Sequence, residues 1–179
     1  RRPGFVVADL DAALYQRRTL VKHLAMRRTL WVVGVGDLPL IQAAASDRVA
    51  GNERRKLVAD VQKAGVADDG DGWLDRACDA VLAHLSDHGP ATARQLREAL
   101  PELAGTFDPA PGKRWGGDTP LSPRVLTVLS VRGDIVRGPN DGTPGLPRYE
   151  VPVHEQLAQH VRMHAIEHGF ELGLTQEFE

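Results

Sequence analysis

Thr92-Ala-Arg-Gln-Leu-Arg-Glu-Ala-Leu-Pro101, then Leu121-Ser-Pro-Arg-Val-Leu-Thr-Val-Leu129, then the turn-rich Arg137-Gly-Pro-Asn-Asp-Gly142 between two short apolar runs, is the stretch on which the fold turns. Thr92 suits an N-cap, and Leu96, Ala99, Leu100 and Leu103 recur at helical spacing as a buried face. Ser122 caps a further helix with Pro123 in its first turn, where the missing N–H has no partner to lose. Val125, Leu126, Val128 and Leu129 then face inward, leaving Arg124, Thr127 and Arg132 outside. Gly133 ends that helix, Asp134 to Arg137 reads as a strand, and Tyr149 to Val153 as its return. The order is a helix-turn-helix followed by a hairpin wing, in which a braced helix enters a DNA groove and the wing grips the flanking backbone.

Upstream, Trp73 to His88 carries Leu74, Ala77, Cys78, Val81, Leu82 and Leu85 on one face of an amphipathic helix that Gly89-Pro90 closes. Asp68-Asp-Gly-Asp-Gly72 before it is an acidic junction placed at a module boundary. It is not a calcium loop, because ligands at alternate positions and a bidentate glutamate at the twelfth are missing. Between Ala104 and Pro120 lies a connector unusually long for a helix-turn-helix. It carries Lys113-Arg114-Trp115 among glycines and prolines, an aromatic flanked by charge at an exposed tip.

In the first third, Leu10, Ala13 and Leu14 mark a short helix that Arg17 and Arg18 close. Leu20 to Leu24 and Thr29 to Val33 read as a hairpin around Arg27-Arg28, with a helix through Lys22 to Met26 the competing assignment. Trp31 is expected in the core, with a base-stacking wedge the competing reading. Asp37 caps, and Pro39 opens, a helix burying Leu38, Ile41 and Ala45; a separate one from Asn52 to Ala64 carries Leu57, Val58 and Val61 and stops at Gly65.

The aromatic content is low, so the core is built from Leu, Val and Ala, and the class is α+β and helix-rich. Three units follow: 1–67, a partial first winged-helix module with linking helices; 68–153, a complete one; and 154–179, a C-terminal helix and tail. No apolar run approaches a bilayer span and no signal peptide is recognisable, which places the expected protein in the cytoplasm. A single cysteine, Cys78, excludes an internal disulfide and fits core packing. His160, His164 and His168 share a ridge of the tail, but about 12 Å separates first from last at 1.5 Å per residue, so they cannot all reach one ion. No metal, cofactor or catalytic residue is expected, and no phosphate loop, nucleophile elbow or carboxylate pair appears.

The net charge of −2 hides an asymmetry. Residues 1–66 hold twelve Lys/Arg against six Asp/Glu, residues 67–150 nine against thirteen, and the tail one against five. Basic charge sits on the N-terminal side, around Arg17, Arg18, Lys22, Arg27 and Arg28, as expected if one face meets phosphate. Five such contacts would give a log-log salt slope of about −4 to −5, although strand alternation sends some of them to opposite faces. Candidate DNA-contacting residues are Arg27, Arg28, Lys113, Arg114, Arg124, Thr127, Arg137 and Asn140, with Ser122 and Arg148 beside them. The partner expected is double-stranded DNA. A regulator that binds an operator without chemistry, and a module whose wing contacts protein, are the readings from other classes.

Leu20-Val-Lys-His-Leu-Ala-Met-Arg-Arg-Thr-Leu-Trp-Val-Val33 followed by Asp37-Leu-Pro39 resembles the hallmark segment of the winged-helix family that includes the AlkZ-like alkylpurine DNA glycosylases. Lys113-Arg-Trp-Gly-Gly117, Arg124-Val-Leu126 and Gly133-Asp-Ile-Val-Arg-Gly138 resemble the same family's next winged helix. The resemblance covers most of residues 5 to 151. It implies tandem winged helices around a basic channel for duplex DNA and, in the glycosylase branch, removal of alkylated bases or unhooking of crosslinks. Its transferable DNA contacts are Arg27, Arg28, Arg114, Arg124 and Arg137. The Gln-x-Gln motif that positions water in those glycosylases occurs nowhere in this chain, and a short His-rich tail stands where a further winged helix and β-domain are expected. The expectation is a fragment cut downstream of that motif, or a non-catalytic relative.

Overall fold

The structure is a computed structural model that describes residues 6–114, 116–140 and 147–150. It is α+β with small antiparallel sheets. Helix α1 (Val7–Asp11) runs into a π-helical turn, Ala12–Gln16, and leads to the hairpin of β1 (Leu20–Leu24) and β2 (Leu30–Gly34). Helices α2 (Leu38–Ile41) and α3 (Asp47–Lys63) follow, then α4 (Gly70–His88), β3 (Ala91–Thr92) and α5 (Ala93–Ala99). Next come a two-residue pair, β4 (Thr106–Phe107) with β5 (Thr119–Pro120), and α6 (Ser122–Arg132). Strands β6 (Val136–Asn140) and β7 (Pro147–Glu150) close the order. The three-stranded sheet has the order β3-β7-β6, so the last strand lies between its two partners.

One apolar cluster joins the long helices. Leu57 and Val61 of α3 pack with Leu74, Val81 and Leu85 of α4, Leu96 of α5 and Val125, Leu126 and Leu129 of α6. The core therefore crosses the acidic junction at Asp68–Gly72, which is a tight, capped turn. The Asp69 carboxylate accepts from the Gly72 N–H at 2.9 Å, satisfying one of the unpaired donors at the start of α4. Gly70 is required there by space, since a Cβ would stand 2.9 Å from the Val58 carbonyl oxygen of α3. Gly133 ends α6 in the left-handed region at φ 82°, the C-terminal signal expected of it.

The hairpin, the amphipathic α4 and the Thr92 cap form where the sequence places them. Thr92 Oγ1 accepts from the Gln95 N–H at 3.2 Å while Gln95 Oε1 accepts from the Thr92 N–H at 2.9 Å, a reciprocal capping box. Thr92→Ala should lower unfolding stability by about 1 kcal/mol, read from the urea midpoint, because it removes the hydroxyl that accepts from the Gln95 N–H.

Several expectations need correction. Residues 38–63 are one helical run rather than two helices, because the Gln42–Ser46 stretch keeps right-handed backbone as a π-helical turn between α2 and α3. Ser122 is the first residue of α6, not its cap; the N-cap is Leu121, with no side-chain bond. Asp37 stands at the N-cap of α2 but makes no capping bond either. Ala99 is exposed, since α5 buries only Leu96 fully. Trp31 is 45% exposed and lies outside the core. The return strand is Pro147–Glu150 among described residues. Trp115, the Asn140 side chain, residues 141–146 of the wing turn, Val151 to Val153 and the histidine ridge of the tail lie outside the described residues.

Candidate nucleic-acid interface

The hairpin is seated on a buried polar contact. His23, 2% exposed, places Nε2 2.8 Å from Ser46 Oγ, in the π-helical turn opposite β1. Burial pushes the imidazole down to about 4, against a smaller upward pull from Asp47, so the ring is neutral at pH 7. Gln42, in the same turn and also buried, donates Nε2 to the Val131 carbonyl of α6 at 3.1 Å. Leu24, Ala50 and Val131 form a small apolar cluster beside these bonds. At the other end, Arg18 holds the mostly buried Glu150 of β7 with two bonds, at 2.7 and 3.3 Å. The hairpin is thus fixed to the helices by its first strand and to the sheet by its base.

Its second strand is an edge. Ala25 N–H donates to Thr29 O and Val35 N–H to Thr19 O, both at 3.1 Å. Antiparallel alternation between those two pairs turns the N–H and C=O groups of Leu30, Val32 and Gly34 away from β1. Among the described residues no strand takes that edge. Leu30, Trp31 and Val32 are 42%, 45% and 48% exposed, with Met26 at 51% beside them on the turn.

The tip is conformationally costly. Arg27 and Arg28 both have left-handed backbone, at φ 55° and 59°, in a turn closed by Thr29 N–H to Met26 O at 3.1 Å. Asn-Gly or Gly-Gly makes such a turn without penalty, whereas two arginines cost about 1 kcal/mol or more each. The chain places two consecutive arginines in this turn despite that cost.

Helix α3 carries those cations toward α6. Glu53, Lys56 and Asp60 follow one another at helical spacing on one side of it. Arg28 Nη1 donates to Glu53 at 3.2 Å, and Lys56 lies 3.4 Å from the same carboxylate. Two turns on, about 10 Å along the axis at 1.5 Å per residue, Arg124 of α6 donates to Asp60 through Nη1 and stands over the Phe107 ring, 4.9 Å from its centroid. Arg28, Lys56 and Arg124 therefore share one ridge, although the two arginines are far apart in sequence. The two acidic partners lower its charge without removing it. Each of these two arginines uses one nitrogen there, and a guanidinium has five N–H donors.

Directly after Phe107 comes the long connector. Asp108 Oδ1 accepts from the Ala110 N–H at 2.8 Å and the Gly117 N–H at 3.1 Å, tying the two ends of the loop together. The β4–β5 pair closes its base. Lys113 and Arg114 stand exposed on it. Sequence spacing could not foresee this pinning, whose signal is a single aspartate read only in three dimensions.

The other candidates do not join the ridge by any contact. Thr127 donates its hydroxyl to its own helix, to Pro123 O at 2.8 Å. Arg137 is half-buried with its guanidinium 5.9 Å from the Tyr149 ring centroid, and the Nε atoms of Arg137 and Arg148 are buried. Asn140 ends β6. Of the five basic residues near the hairpin, Arg18 is committed to Glu150 and Lys22 to the Tyr15 hydroxyl. Sequence reasoning missed Lys56, whose position on the ridge depends on how the hairpin folds over α3.

Cys78 is buried, and its thiol is pushed up to about 12 by that burial, so it holds its proton. Among the described residues no group of three or more His, Cys, Asp or Glu side chains could hold a metal ion. No described helix is long and apolar enough to cross a membrane.

A family model described as DNA glycosylase AlkZ-like matches residues 1–169. The chain belongs to the AlkZ-like DNA glycosylase family. No curated protein and no solved structure matches it. Within this AlkZ-like chain the match takes in every described element, from α1 to β7, and so includes both the hairpin and the pinned loop.

Proposed function

We propose that this chain binds double-stranded DNA in the service of DNA repair, through a winged helix at residues 68–153 and the remaining part of another at residues 1–67. Family membership supports the repair context. The winged-helix assignment draws on the element order α4, β3, α5, α6, β6, β7 and on the β3-β7-β6 sheet, in which α6 is the groove-entering helix and β6–β7 the wing. The observation that carries the DNA reading is the ridge: Arg28 from the hairpin and Arg124 from α6 lie along α3 with Lys56 between them, Arg27 is next to Arg28 in the turn, and Lys113 and Arg114 are on the adjoining loop. Phosphates would take these cations as point contacts. Thr127, Arg137 and Asn140 complete the proposed set from α6 and the wing.

Formation of abasic sites in an alkylated duplex is the test of chemistry. The proposal expects saturable binding of that duplex, and base release if this chain carries the family's catalysis. Binding without release assigns it a purely DNA-holding part, while absence of binding to any duplex at low salt defeats the proposal. One feature favours a protein-contacting wing as the second reading: Arg137 and Arg148 are drawn into the sheet instead of standing free on it.

A further inference from the structure

An exposed tryptophan on a strand edge is free to swing unless something holds it, and Trp31 is held. Its Nε1–H donates to Thr29 Oγ1 at 2.7 Å, and that hydroxyl in turn donates to the Met26 carbonyl oxygen at 2.5 Å. Thr29, just before β2, and Trp31 within it are two residues apart and share a face of the hairpin, so the relay runs from the strand into the turn. The indole N–H is satisfied and the ring is fixed, yet the ring remains 45% exposed. Beside it the turn presents Met26, Arg27 and Arg28, the arginines in left-handed backbone held by three turn bonds, Ala25 N to Thr29 O, Arg28 N to Ala25 O and Thr29 N to Met26 O. A fixed aromatic face, an exposed apolar side chain and two cations at one hairpin tip are the components of a stacking platform for a planar ligand carried on a polyanion.

We infer that the hairpin tip is a stacking site for a nucleobase exposed at a break in duplex stacking, with Trp31 as the platform, Met26 as the flanking wedge, and Arg27 and Arg28 on the neighbouring phosphates. Bases within an intact duplex have both faces covered, so the site discriminates for unpaired or bulged bases and contributes little to a fully paired helix. This rests on the DNA-binding reading above and refines it to a structural preference.

The test compares a fully paired duplex with the same duplex carrying one bulged base, for the wild-type chain, Trp31→Ala and Trp31→Phe. Wild type should prefer the bulge by about tenfold, the order expected of one aromatic–base stack. Trp31→Ala should lose that preference while its affinity for the paired duplex stays within about twofold, and Trp31→Phe should keep most of it. Because Trp31 is outside the core, unchanged melting temperatures are expected for both variants and confirm that folding is not the cause. Equal wild-type affinity for the two duplexes, or a preference that survives Trp31→Ala, overturns the stacking site and leaves DNA binding standing. Failure to bind either duplex at low salt removes DNA binding itself. A wild-type dimer that Trp31→Ala converts to monomer, with no bulge preference, overturns the inference in favour of pairing through the open β2 edge.

Discussion

Acidifying the protein from pH 7 to pH 4 should cost it about 3 kcal/mol of stability through His23 alone. Its imidazole falls from the ordinary 6.5 to about 4 because it is buried against Ser46. Above pH 6.5 the folded and unfolded chains both hold the ring neutral, and the group is silent. Between 6.5 and 4 the unfolded chain takes a proton that the folded chain refuses, so the unfolded state binds more protons and stability falls as the pH falls. Below about 4 the folded ring protonates too and the penalty stops growing. A depression of this size, at about 1.4 kcal/mol per pH unit, gives the figure above. Carboxylates also titrate in that range, so the measurement is a difference: urea unfolding of wild type and His23→Gln at stepped pH. The wild-type curve should fall more steeply between 6.5 and 4, and parallel curves would show that His23 is not the sensor. Since the ring sits beneath the hairpin, hydrogen exchange in β1 and β2 should quicken first.

Leu57→Ala should be the most damaging single substitution in α3, at about 3 to 4 kcal/mol. Leu57 is fully buried in the cluster that joins α3 to α4, α5 and α6, and truncating it leaves a cavity that four packed helices cannot easily close. The same packing predicts how the loss is felt. Because α3 and α4 share a core across the capped Asp69 turn, unfolding followed by helix signal and by the buried Trp73 should move together to lower denaturant with one midpoint. Two separated midpoints would mean that residues before and after the junction fold as independent units.

What could be read from the sequence is what local chemistry dictates. The hairpin follows from two β-rich runs around Arg27-Arg28, α4 from its apolar stripe, and the start of α5 from Thr92; each is set by neighbours within four residues. The helical run over residues 38–63 was harder, because Ser46, Asp47 and Gly51 resemble punctuation. There the structure carries the helix through a π-helical turn whose Gln42 and Ser46 bond to groups on α6 and β1. Trp31 differs from expectation for a related reason: a strand of Leu, Trp and Val reads as buried, and only the sheet order shows that β2 has one neighbour among the described residues. The partners of the candidate arginines were beyond local reading altogether. Arg18 to Glu150, Arg28 to Glu53 and Arg124 to Asp60 span 132, 25 and 64 residues. Which cations stand free for a ligand depends on those long-range pairs, so the residue types of an interface were legible while its membership was not.

The proposed interface has cations of the hairpin and of the α6 side along one surface that meets one duplex. Its most direct measurement is the salt dependence of duplex affinity for wild type, Arg27→Ala/Arg28→Ala, Lys113→Ala/Arg114→Ala and the combined variant. Wild type should show a log-log slope of about −4 to −5, each pair of substitutions should flatten it by about two units, and the combination should leave only a shallow dependence from the remaining cations such as Arg124 and Lys56. A slope untouched by either pair, or affinity indifferent to salt from the start, would contradict a shared surface for DNA.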